Sequence, residues 1–166
     1  MTLLYYAVVT THVLAALFWL GGMFFLGVVG APALRAVEPP AVRQRLFQQL
    51  GLRFRNAGWV AILVLVASGT TMLWLRGLLR WEGVLGAPGF WASPFGRSLA
   101  VKLVAVTTMI CISAVHDFAL GPAAGRAEPG SAQALRLRRR AALLARGNAL
   151  VGLVIVLAAV RLARGG

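Results

Sequence analysis

His12 is one of two imidazoles in a chain of 166 residues, and it lies inside an uncharged stretch from Leu3 to Val29. That stretch exceeds the roughly 20 residues a helix needs to cross a bilayer. An ionisable group at such depth is costly and is expected to face a protein interior, a cofactor or an ion path. On a helix, His12, Ala15, Ala16, Trp19 and Met23 fall along one face at steps of three and four. Gly21 and Gly22 leave that side open to a second backbone or a flat ligand. Two readings stand. His12 either hydrogen-bonds to a neighbouring helix or ligates a metal or haem, and the second is favoured.

The other imidazole belongs to a second stripe. Lys102, Met109 and His116 recur every seven residues, one helix face. Lys102 either snorkels to the headgroups or offers a cation to a carboxylate such as a haem propionate. His116 and Asp117 read as a functional pair or as an ordinary hydrogen-bonded helix end. Asp117 is the one acid in any apolar run, and Arg146 is its expected partner. Met23, Met72, Met109 and Cys111 are soft donors suited to Cu(I), although scattered methionines also serve as packing filler. Ser68, Thr70 and Thr71 are expected to bond to helix backbone or across helices. No nucleophile elbow, phosphate loop, carboxylate pair or paired-cysteine motif is present, and a single cysteine excludes an intrachain disulfide.

The elements that must position these residues are apolar. Hydrophobic residues make up 60% of the chain and charged ones 13%, about half the charged share of a soluble domain. The sequence predicts an all-α integral membrane protein of one domain, a four-helix bundle with spans at about 3–29, 57–79, 98–121 and 141–163. The first run is too long for a signal-peptide core and is retained as a mature helix. Residues 41–55 alternate apolar positions with Arg43, Arg45, Arg53 and Arg55 and predict a short amphipathic helix on the membrane surface. Trp81, Gly83, Pro88 and Trp91 predict an irregular interfacial loop between the second and third spans. Arg136, Arg138, Arg139 and Arg140 could bind anionic lipid headgroups.

The net charge of +13 is read through topology, because nothing interleaves basic and aromatic residues as a nucleic-acid surface would. The arginines concentrate in the first and third connections, which places those in the cytoplasm and both termini outside. His12 then lies about nine residues from the outer end of its helix and His116 about eighteen, an axial gap of roughly 13 Å. The two imidazoles are therefore not expected to clamp one iron. Gly21-Gly22, Gly27 and Gly152 are small-residue positions that predict a two-fold dimer.

The first span, H-V-L-A-A-L-F-W-L-G-G from His12 to Gly22, resembles the opening of the copper-resistance D (CopD) family of four-helix membrane domains. A-V-H-D-F-A-L-G-P from Ala114 to Pro122 is similar to that family's third helix, as is Lys102. The spacing of His12 and Trp19, with a lysine and then a histidine in the third span, also resembles the more distant HemJ-type protoporphyrinogen oxidases. That second resemblance implies His12 as a haem b ligand, whereas the first implies copper uptake or resistance.

The leading expectation is a haem b redox protein of a bacterial-type inner membrane, possessing His12 as axial ligand, Trp19 beside the macrocycle and Lys102 near a propionate. An open sixth position would suit an oxidase-type reaction on O2, NO or a porphyrin-like substrate, with electrons exchanged with quinone or another redox partner. The alternative is copper transport or delivery, with His12, Met23, Met109, Cys111 and His116 as a ladder of donors through the bilayer.

Overall fold

The computed structural model describes residues 3–79, 84–87, 89–128 and 131–165. Trp81, Gly83 and Pro88, on which the expected interfacial loop rests, lie outside them. Among the described residues the chain is helical, without strands: α1 (Leu3–Phe25), α2 (Ala31–Arg35), α3 (Pro40–Leu75), α4 (Pro94–Ala114), α5 (Gly121–Arg126) and α6 (Ala132–Ala163). Short π-helical turns, Leu26–Gly30 and Val115–Leu120, join α1 to α2 and α4 to α5. Four continuous helices result, Leu3–Arg35, Pro40–Leu75, Pro94–Arg126 and Ala132–Ala163, each long and apolar enough to cross a membrane. At 1.5 Å per residue they run about 50 Å, well beyond a hydrocarbon core of about 30 Å. The protein is a multi-pass membrane protein.

The helices exceed the apolar runs for local reasons. Ser93 accepts a hydrogen bond from the Gly96 amide at 3.0 Å, with Pro94 in the first turn, so α4 starts ahead of its apolar run. Ser131 caps Ala134 at 3.1 Å in the same way. Arg136 to Arg140 thus lie in the early turns of α6, where alanine, leucine and arginine all favour helix. Residues 41–55 are likewise no separate surface helix but the first half of α3. Part of their apolar side meets the first helix: the Phe54 ring occupies the notch at Gly22, where a Cβ would overlap it, and Leu50 reaches Gly30, whereas Val42, Leu46 and Phe47 are exposed. Arg43 closes the preceding turn on Glu38 and the Arg35 carbonyl, both at 3.2 Å.

The π turns have a common cause. Pro32 and Pro122 each stand two residues after one. A proline inside a helix has no N–H and clashes with the carbonyl four residues back. Widening the preceding turn relieves that clash, and Ala31 and Gly121 donate instead to Leu26 and His116, five residues back. At the other end, α3 stops on Gly77 at φ 73°, with Gly77 N–H on Trp74 and Leu78 N–H on Leu73. This glycine-terminated cap ends the helix four residues before the expected boundary of 79.

The chain forms two compact units, Met1–Gly86 and Ala87–Gly166. In the first, α1 packs antiparallel on α3, as the pairs Tyr5–Arg76, His12–Ser68 and Gly22–Phe54 require. In the second, α4 packs on α6. Its interface is built largely from small and polar residues, among them Ser98, Ala105, Ser113, Gly152 and Ala158, which allow close helix approach where lipid offers no hydrophobic drive. Gly152 is thus used inside the chain. Although no repeat is evident in the sequence, the units share a plan. At the interval separating Pro32 from Pro122, His12 corresponds to Lys102 and the buried Trp19 to the buried Met109.

Candidate functional site

The first unit holds a polar contact at depth. His12 Nδ1 lies 2.8 Å from Ser68 Oγ, across the α1–α3 interface. Ser68 is 8% exposed and His12 half-buried. The serine has one hydroxyl proton, and its shortest acceptor is the Val64 carbonyl at 2.6 Å, one turn back on its own helix. Its oxygen therefore presents a lone pair to the imidazole, and Nδ1–H is the donor, an assignment made from the hydrogen-bond network. In that tautomer Nε2 keeps the lone pair. Fixing one ring nitrogen to orient the other is how proteins prepare a ligating histidine.

The surroundings are close-fitting. A Cβ on Gly69 would stand 3.5 Å from His12 Cε1, so the ring rests against the α3 backbone there. Met72 follows Ser68 by four residues, on the same face one turn further along. Beyond it, Arg76 donates to the Tyr5 hydroxyl from Nη2 at 2.6 Å and Nε at 3.0 Å, tying that end of the pair together. In the other direction Trp19, 5% exposed, packs on Gly58, whose Cβ would meet the indole at 3.6 Å. With Phe54 at Gly22, this side of α1 is filled by the protein itself. Gly21 and Gly27 face open space. The glycine pair therefore does not provide the flat recess expected beside Trp19.

The second unit holds the other expected residues. His116 lies in the π turn, with Nδ1 2.8 Å from Asp117 Oδ1 and its side chain 38% exposed. Arg146, expected to pair with Asp117, is exposed, and the carboxylate instead hydrogen-bonds to the adjacent imidazole. Met109 is 4% exposed in the α4–α6 interface, whereas Cys111 is exposed. Two residues along a helix turn roughly 200°, so the cysteine stands on the opposite side from Met109. Lys102 is half-buried on α4. Of the five donors of the expected ladder, His12 and Met23 belong to the first unit and Met109, Cys111 and His116 to the second. Among the described residues no group of three or more His, Cys, Asp and Glu side chains could hold a metal.

One buried polar contact was not anticipated. Asn148, 4% exposed on α6, donates from Nδ2 to Ser113 Oγ at 2.9 Å. The available signal was an amide within an apolar run, where it needs a partner. Ser68 was expected to bond backbone or a neighbouring helix; it does both.

The copper resistance protein D family model matches residues 48–162, from within α3 almost to the end of α6. The matched residues include Ser68, Lys102 and His116 but not His12 or Trp19. An uncharacterized protein of Aquifex aeolicus (strain VF5) is 34% identical over 110 residues, covering 66% of this chain and 66% of the relative. The chain thus spans just under two thirds of that relative's length. No solved structure matches.

Proposed function

The chain belongs to the copper resistance protein D family, and on that premise we propose that it transports or delivers copper in the inner membrane, with His12 as a ligand. The observation that carries the reading is the Ser68–His12 contact, which holds the imidazole in an apolar helix pair with Nε2 as its lone-pair nitrogen. Imidazole and thioether together suit Cu(I), and Met72 supplies a thioether one turn away. His116, paired with Asp117 in the second unit, is a second imidazole station rather than part of the same ligand set. Handing an ion between weak, separated donors suits transport better than storage, because a cargo must leave each station. In the orientation favoured by the arginine count, the α2–α3 and α5–α6 connections face the cytoplasm.

Copper therefore replaces haem as the leading cofactor assignment. Family membership points to copper resistance. The notch meant to seat a macrocycle beside Trp19 is occupied by Phe54. The oxidase-type reaction and quinone partner rested on haem and are not carried forward.

The test is cellular copper accumulation with wild type, His12→Ala and His116→Ala expressed at equal levels, paired with oxidised and reduced optical spectra of the purified proteins. The expected result is accumulation that changes with both substitutions and protein without a Soret band. A Soret band abolished by His12→Ala would restore haem and overturn the proposal. Accumulation indifferent to both histidines would also overturn it.

A further inference from the structure

A cleft of about 310 Å³ opens between the beginning of α4 and the last turns of α6, wholly within the second unit. Its walls include Ser98, Val101, Val154 and Leu157, and two arginines, Arg97 and Arg161, line it as well. Two cations sharing a small cleft repel one another unless an anion joins them. Among the described residues neither arginine has a side-chain hydrogen bond or an ion pair. The acids of this unit lie elsewhere: Asp117 is 20 residues beyond Arg97 on the same continuous helix, roughly 30 Å away, and Glu128 is further along the chain. The first unit offers a contrast, since Arg76, the arginine at its corresponding end, is committed to Tyr5.

We propose that this cleft binds the phosphate of an anionic phospholipid between Arg97 and Arg161, with an acyl chain lying along Val101, Val154 and Leu157. Charge complementarity selects an anion, and guanidinium groups match phosphate oxygens in shape and charge. The apolar walls, set between two membrane-spanning helices, select a lipid over a free anion. The site is separate from His12 and does not depend on copper.

The test is native mass spectrometry of the full chain in mild detergent, titrated with phosphatidylglycerol, phosphatidylcholine or inorganic phosphate. Phosphatidylglycerol is expected to bind at least tenfold more tightly than phosphatidylcholine. Arg97→Gln with Arg161→Gln should remove that preference. Arg126→Gln with Arg146→Gln, two exposed arginines of the same unit away from the cleft, removes equal charge and should retain it. Val154→Phe, which fills the cleft but keeps both arginines, should weaken lipid binding at least tenfold and carries the test if the double variant misfolds. Equal retention of the two lipids, or equal loss in the Arg126 and Arg146 variant, would overturn the proposal. So would displacement of the lipid by inorganic phosphate at equal concentration, which would identify a small-anion site.

Discussion

Ser68→Ala separates a ligand-positioning role from a structural one. It deletes the oxygen 2.8 Å from His12 Nδ1 and changes little else, because the serine's remaining bonds run back to its own helix. Interhelical hydrogen bonds in membranes contribute about 0.6 kcal/mol on average and at most about 1.7, so the fold should survive. The ligand should suffer more. Loss of a partner that orients a metal-bound histidine typically costs about 10–100-fold in affinity, or roughly 1.4–2.7 kcal/mol. The assay is competitive Cu(I) titration of purified wild type, Ser68→Ala and Ser68→Thr, beside their unfolding in a denaturing detergent. Ser68→Ala should bind at least about tenfold more weakly with a stability loss below about 2 kcal/mol. Ser68→Thr should keep most of the affinity, since a threonine hydroxyl can make both bonds. Unchanged Cu(I) affinity in Ser68→Ala, in a protein whose affinity depends on His12, would refute the argument. Nitrogen NMR showing the proton on Nε2 would refute it at the level of the tautomer.

Three further outcomes follow from the packing. Gly77→Ala places a Cβ on the left-handed residue that terminates α3 and should cost about 1–2 kcal/mol in the same unfolding assay. Gly22→Ala would drive a methyl into the Phe54 ring and should destabilise by about 1–3 kcal/mol, with Phe54→Leu in the same chain restoring part of the loss. Asn148→Ala and Ser113→Ala, singly and together, should give a coupling of about 0.6 kcal/mol and no more than about 1.7, measured as a double-mutant cycle.

The helical membrane architecture and the candidate polar residues were legible in the sequence because bilayer solvation is a one-dimensional constraint. Long runs without charge must be spanning helices, and the few ionisable groups among them stand out without knowledge of the fold. Family membership was legible as well, and of the two stretches that carried the resemblance the family match covers Ala114 to Pro122 but not His12 to Gly22. Helix ends were not legible from hydropathy. Ser93, Ser131 and Gly77 set them through local hydrogen bonds, and arginine-rich turns continue a helix that hydropathy would stop. Which apolar or small residue meets which was decided only by tertiary structure. Periodicity places Gly22, Trp19 and His12 on one face, but only the antiparallel register with α3 brings Phe54, Gly58 and Ser68 opposite them. The same limit holds for Cys111, whose sequence neighbours look like partners although helix rotation turns it away from Met109. Sequence therefore determined the solvent, the secondary structure and the inventory of donors. Register and rotation, which depend on contacts between residues far apart in the chain, decided that one imidazole meets a serine and that a glycine notch holds a phenylalanine.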